Sequence, residues 1–409
     1  MEGAALSSGM AERPDVPCSE RAGAVPTLLL ALACGIIAAN LYYLQPLVAA
    51  VAQSVGLPDS AAGLVASMTQ IGYGLGLVLI VPLADLVENR RLVAMVLGLS
   101  VLALASAAVA PQASVFLLAT FVIGLGSVGV QLVVVYAAHL ASELERGRII
   151  GAVTSGLMFG IMVSRPAASA LAELTSWRVV LGVAAFLTAG IALGLQRALP
   201  KRQPRSSETY RGLLASLPNL YRLSPIVQWR TVIHCNLFFG FGLFWTAVPL
   251  VLLDRFKFSQ SGIAVYALTG IASVLAAPVA GRVADRGHAS IGSAASIAFV
   301  GTGFAAAILG MPEEGGVWLL AIASLLIGAG VTGHAVFGQR DVFSMPAPNR
   351  ARLNGVFMAA YFAAGAMGSA IAGLAYANWG WRRTCLLGVV TAGVAMVRFI
   401  RSDYGTIDR

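Results

Sequence analysis

The chain has 409 residues, of which 58% are hydrophobic and 11% charged, and it carries a formal net charge of +9. A soluble domain carries roughly 25% charged residues, and no water-soluble fold of this length hides so much apolar surface. The composition therefore excludes a soluble protein and specifies an integral membrane one. The excess positive charge does not point to nucleic acid, because the basic residues sit in short loops between apolar runs, a pattern that sets membrane orientation.

Residues 1–26 are polar and read as a tail facing the cytoplasm. The apolar run that follows is too long for the core of a signal peptide and is the first membrane span. A bilayer crossing needs about 20 apolar residues. Twelve segments meet that need, at 27–52, 60–84, 91–110, 114–140, 148–173, 178–198, 229–253, 261–284, 289–310, 317–339, 353–376 and 382–401. The fold class predicted is all-α, with two six-helix bundles at 27–198 and 229–401, a basic linker at 199–228 and a short tail at 402–409. With the N-terminus inside, 21 Lys and Arg fall on the cytoplasmic side and 5 outside, which places both termini and the linker in the cytoplasm of a plasma or inner membrane. Cys18, Cys34, Cys235 and Cys385 have neither metal-ligand nor redox spacing.

The halves repeat one another. Arg146, Arg148 and Gly151 match Arg350, Arg352 and Gly355 at a shift of 204, as Trp177 and Arg178 match Trp381 and Arg382. Gly124, Gly126 and Gly129 match Gly328, Gly330 and Gly333 at the same shift, and Asp85 matches Asp285 at 200. A six-helix unit duplicated in parallel is the symmetry of a secondary transporter.

Helix by helix, the polar residues inside the apolar runs are the candidate site. The first run offers Asn40, Tyr43 and Gln45, with Asn40 and Tyr43 on one face at i,i+3 and Pro46 set to break the helix near mid-membrane. Gln70 and Gln131 are further buried amides; His234, Asn236 and Trp245 lie on the seventh run, and His334 on the tenth. For each amide the plainer reading is a helix–helix hydrogen bond worth roughly 0.6 kcal/mol.

The fifth run contains GLMFGIMVSRPAASALA at 156–172, in which Arg165 is the one charged residue. A charge within the membrane is costly and faces a cavity or a partner. Three readings stand: Arg165 binds an anionic or carbonyl-bearing substrate, pairs with a carboxylate in a gating or proton-coupling switch, or reaches outward to headgroups or Glu173. The repeat supplies Ser369 at the equivalent place, so the architecture itself does not require the arginine. Gly156 and Gly160 form a G-x-x-x-G face for close approach of another helix.

The loop motifs VPLADLVENRR at 81–91 and GRVADRGHA at 281–289, with ANLYYLQPL, RGRIIGAVTSGLMFGIMVSR and RARLNGVFMAAYF, resemble the major facilitator superfamily, and within it the efflux branch of arabinose-type, purine-nucleoside-type and drug exporters. The resemblance spans about 27–401 and implies a monomeric transporter that rocks two bundles around a central cavity and exports solute against proton entry. It implies that Asp85, near Arg90 and Arg91, docks on the positive N-terminal end of the eleventh helix when the cytoplasmic side is closed, with Asp285 and Arg286 as the matching motif. The first motif departs from the pattern at Val81, Leu86 and Glu88.

No Asp or Glu lies deep in any span, which argues against cationic substrates and leaves the proton carrier open between edge carboxylates (Asp85, Glu143, Glu173, Asp254) and the histidines. The chain shows no P-loop, no metal spacing and no nucleophile elbow, so neither a cofactor nor an enzymatic reaction is expected. The partners expected are a small neutral or anionic solute, protons and the lipid bilayer, and not nucleic acid. The rivals are an importer or uncoupled uniporter, a non-transporting sensor on the same fold, and, more remotely, a membrane-embedded enzyme.

Overall fold

The computed structural model describes residues 27–140, 146–204, 209–310, 316–345 and 347–401, and they are all helix and turn. Span 1 combines α1 (Thr27–Ala39) with α2 (Val48–Val55); span 2 is α3 (Leu64–Leu79), span 3 is α4 (Asn89–Ala108), and span 4 joins α5 (Ala113–Ser127) to α6 (Gly129–Leu140). Span 5 is α7 (Arg146–Leu174) and span 6 is α8 (Trp177–Ala198), followed by a short helix α9 (Tyr210–Arg222). Span 7 is α10 (Pro225–Asp254), and span 8 joins α11 (Gln260–Ala267) to α12 (Ile271–Asp285). Span 9 is α13 (Ala289–Leu309), span 10 is α14 (Gly316–Phe343), and α15 (Ala347–Arg401) supplies the rest.

The 55 residues of α15 cannot be one crossing: at 1.5 Å per residue they would reach about 80 Å, far beyond a bilayer core of about 30 Å. Gly380, at φ 74°, takes a left-handed conformation that a side chain would strain, and the chain reverses there. The contacts prove the reversal. Tyr376 donates to Asp254 at the end of span 7 (2.8 Å), whereas Arg398 accepts from Trp229 near its start (3.3 Å). Spans 11 and 12 thus lie before and after Gly380, and the twelve-helix architecture expected from the sequence is present.

Span 1 breaks where Pro46 predicts, and several span boundaries shift by a few residues. Span 1 is not continuous: residues 40–44 are turns and Gln45–Leu47 is a 3₁₀ helix, because Pro46 cannot supply an amide to an α-helix. The segment 199–228 is not wholly a loop, since α9 occupies its middle, with Thr209 capping the helix through Gly212 (3.2 Å). Span 10 runs past 339 to Phe343. The helix α7 continues through Pro166.

Small residues set the helix spacing, as membrane packing requires. A Cβ on Gly156 would lie 2.2 Å from the carbonyl oxygen of Ala31, and one on Gly160 would lie 2.1 Å from that of Gly35. Spans 1 and 5 therefore touch backbone to backbone. The duplicated glycines do matching work: Gly126 abuts Ser100 on span 3, and its counterpart Gly330 abuts Ser296 on span 9. Large apolar side chains such as Leu102, Phe186 and Trp318 point outward, which suits lipid rather than water.

We call the face bearing α9 the linker side. On the opposite side, spans 2 and 11 meet tightly: a Cβ on Gly63 would come 2.0 Å from the carbonyl oxygen of Ser369, and one on Gly373 would come 2.9 Å from that of Asp59. On the linker side a cleft enclosing about 480 Å³, part of it open solvent, lies between Leu77, Asp85, Leu217, Arg352 and Gly355.

Candidate functional site

Arg165 lies between the two halves and is 4% exposed. Its Nε donates to Oε1 of Gln45 at 2.8 Å. Its guanidinium carbon sits 4.7 Å from the ring centre of Tyr42 and 4.4 Å from that of Trp245, with Phe241 at 5.7 Å. A desolvated cation–π contact contributes about 2 kcal/mol and a charged hydrogen bond about 1.5–3 kcal/mol. Together these offset a desolvation penalty of several kcal/mol.

The cage is incomplete. Nη2 of Arg165 and Nε1 of Trp245 are buried and have no partner in the protein. Among the described residues Arg165 makes no ion pair. Glu173 is exposed, and the guanidinium turns inward toward Tyr42 and Trp245. Among the described residues neither the partner-carboxylate nor the outward-reaching reading has a supporting contact, and Arg165 Nη2 and Trp245 Nε1 are each left without a protein partner. That arrangement suits a compact anionic oxygen group.

Local structure explains the placement. The turns at residues 40–44 interrupt span 1, and Tyr42 rather than Tyr43 faces Arg165. Tyr43 is half-buried and packs with Leu44 and Leu47 in a different cluster. Asn40 donates to Oγ1 of Thr188 at 3.3 Å on span 6, while its Oδ1 has no partner. The residue equivalent to Arg165, Ser369, is fully buried where spans 2, 7 and 11 meet: it accepts from Gln70 and Thr246 at 3.0 Å each and donates to the carbonyl of Gly242 at 3.2 Å. Gln131 donates to the hydroxyl of Tyr73 at 3.1 Å. These two amides serve helix–helix contacts and not the arginine cage. Asn236 turns away from the interior and donates to Val232 of its own helix at 2.9 Å, so the expected cavity role has no geometric support.

Span 7 carries a second buried polar stretch. His234 and His334 lie with their Nδ1 atoms 3.2 Å apart and their rings nearly parallel. One turn before His234, Arg230 bonds Asp341 at 2.5 Å through Nε and Ser293 at 2.8 Å. Sequence reasoning missed this ion pair, because Arg230 fell at a span edge and Asp341 lay two residues past the span predicted. The i,i+4 step from Arg230 to His234 and the i,i+7 step from His334 to Asp341 were the available signal. Truncating one partner of a buried pair costs about 3–5 kcal/mol. We therefore expect Asp341→Leu to lower the apparent melting temperature in detergent more than Arg230→Met with Asp341→Leu together; equal loss in both would show that the pair carries no coupling.

The loop motifs are arranged differently from each other. Asp85 is exposed on the linker-side cleft that Arg352 also lines, and it makes no ion pair among the described residues. Arg90 instead donates to the carbonyl of Leu199 at 3.3 Å, and Arg91 lies 3.4 Å from Glu88. In the second half, Asp285 lies 3.5 Å from Arg340, and Arg286 is exposed. Glu143 lies outside the described residues.

Comparison with known proteins gives one consistent result. Residues 30–340 match the family model described as the Major Facilitator Superfamily. The chain is 33% identical over 371 residues to the Escherichia coli O157:H7 protein named "Uncharacterized transporter YgaY", covering 90% of this chain and 93% of that one. It is 32% identical to the "Probable transporter SCO4007" of Streptomyces coelicolor strain A3(2), over 87% and 83% of the two chains. Among solved structures, a D-xylose–proton symporter superposes with a TM-score of 0.73 at 14% identity, over 94% of this chain and 98% of that one.

Proposed function

The chain belongs to the major facilitator superfamily and is a multi-pass membrane transporter, not an enzyme, and from that premise we propose that it exports a small organic anion in exchange for protons. The observation that carries the anion is the Arg165 cage, in which a permanent cation is fully enclosed with unpaired donors and no carboxylate partner. The absence of an acidic residue deep in any span agrees with it. Export and proton exchange rest on the resemblance of the loop and helix motifs to the efflux branch. The positive-inside count supports a cytoplasmic linker side and a plasma or inner membrane.

In this reading the structure is closed toward the outside where spans 2 and 11 meet, and the cleft beside Asp85 is the cytoplasmic gate, ajar. When the gate shuts, the Asp85 carboxylate approaches the start of span 11 and its arginines, a contact favoured by up to about 1 kcal/mol when exposed. Bundle rocking then separates Gly63 from Ser369. In a cysteine-free background, a disulfide between Ser60→Cys and Gly373→Cys, once formed by oxidant, is expected to stop transport until reduced. Undiminished flux in the cross-linked protein would contradict the rocking motion at this interface.

A neutral solute with a carbonyl or hydroxyl oxygen is the second reading, since Gln45 and the Trp245 N–H also recognise uncharged oxygen. Proteoliposomes with an internal pH dye and an imposed proton gradient separate the two. Gluconate and other organic acids should move protons, whereas arabinose, uridine and ethidium should not. Proton movement with arabinose or uridine alone would select the neutral reading, and with ethidium alone would sink both.

A further inference from the structure

A transporter that exchanges solute for protons needs an interior group that gains and loses a proton. Among the described residues, the carboxylates lie at span ends or in loops. Arg165 holds its proton permanently. The interior therefore offers the two imidazoles on spans 7 and 10, and they touch one another.

Resting on the proton-coupled reading above, we propose that His234 and His334 form a single proton-binding site. Both are fully buried, with Nδ1 to Nδ1 at 3.2 Å. Two neutral imidazoles make that contact only when one ring donates its Nδ1–H and the other accepts. The donor ring then has a bare Nε2 lone pair, and the acceptor ring has an Nε2–H. In the structure both Nε2 atoms are buried without a protein partner. A proton entering from the acidic side of the membrane adds to the bare Nε2, giving one imidazolium that shares its Nδ1–H with the second ring. Transfer of that Nδ1 proton and release of the second ring's Nε2–H returns the pair to neutrality. One proton is taken up, one is given back, and no covalent bond other than N–H changes.

The surroundings suit this role. The charged and titratable groups around the pair are Arg230 and Cys235 on span 7, Asp341 on span 10 and Tyr361 on span 11, whose ring meets His234 edge-on at 4.7 Å. Arg230 is held by Asp341 and Ser293, and it is the nearest cation that a charge on the pair must work against. Asp341, which holds Arg230, is partly exposed near the linker-side end of span 10. His234, Phe238, Phe241 and Trp245 all project from span 7, with successive rings 5.9, 5.3 and 6.2 Å apart, and Trp245 stacks on Arg165. One helix therefore carries both the proton pair and one wall of the anion cage, so its movement affects both.

The test uses protons as the probe. The full-length protein, labelled with ¹⁵N-histidine and held in lipid nanodiscs, has only four histidines to resolve. His234→Gln and His334→Gln assign the pair. We expect a nitrogen–nitrogen coupling across the Nδ1–H···Nδ1 bond and one shared proton taken up by both rings in step, lost in either variant. Two independent titrations, or none across the pH range in which wild type transports, would overturn the proposal. In proteoliposomes, with the organic acid that wild type moves fastest, both variants should keep acid-for-acid exchange within about twofold while gradient-driven flux falls at least tenfold; equal loss of both fluxes in folded variants would also overturn it. Should either variant misfold, the titration of the wild-type protein decides alone. Should wild type move no solute, the export reading fails, and the titration still judges the proton site.

Discussion

Arg165→Gln is expected to reduce anion transport by roughly 100-fold. The substitution removes a charge-assisted bond to the solute, worth about 1.5–3 kcal/mol, and the cation that makes the site attractive to an anion. Tenfold in rate or affinity corresponds to 1.4 kcal/mol, so the lost bond alone gives about 10- to 100-fold and the lost charge adds to it. Arg165→Lys is the sharper control. Lysine keeps the charge, but its ammonium is a compact point donor without the planar fork that stacks on Tyr42 and Trp245 while reaching Gln45. It should recover part of the flux and never all of it. Stability should change little or rise in Arg165→Gln, because a buried unpaired cation is removed. Initial-rate uptake with melting temperature on the same samples checks this: a folded Arg165→Gln protein with wild-type anion flux would remove Arg165 from the site.

Gly160→Leu should have the largest structural effect. The Cβ alone would stand 2.1 Å from the Gly35 carbonyl oxygen and 2.5 Å from its Cα. The obstacle is backbone, so a rotamer change cannot relieve it. Overpacking typically costs about 1–3 kcal/mol, and here spans 1 and 5 must separate along their length, which also disturbs the Gln45–Arg165 bond. Gly182→Leu is the control, since nothing lies within 4 Å of its Cβ position. Size-exclusion chromatography in mild detergent should show loss of the monodisperse peak for Gly160→Leu and none for Gly182→Leu. Equal behaviour of the two would mean that the close contact does not hold the first bundle together.

The sequence made the architecture legible because the bilayer imposes one simple length rule, and because a constant shift of 204 residues ties the halves together. The glycine pair on span 5 was also legible, since small residues four apart leave a helix one flat face. Side-chain direction around a helix break was not. Pro46 marked the break, but the turn at residues 40–44 rotates Tyr42 into the place that i,i+3 spacing gives to Tyr43. Arg230 and Asp341 were hidden for a different reason: hydropathy reads a charged residue near a span end as a boundary, whereas the two are paired there. Asn236 shows the converse, for a polar residue in an apolar run can satisfy itself on its own helix and face outward. The solitary arginine was conspicuous in sequence, but its lack of a carboxylate partner belongs to three dimensions alone.

A buried, unpaired arginine that selects an anion for proton-driven export must distinguish an acid from its amide. The most direct test is gradient-driven flux of gluconate and gluconamide in the same proteoliposomes, for wild type and Arg165→Gln. Strong flux of the acid and weak flux of the amide are expected in wild type, with that preference collapsing in the variant. Equal preference in both proteins, or wild type preferring the amide, would contradict it.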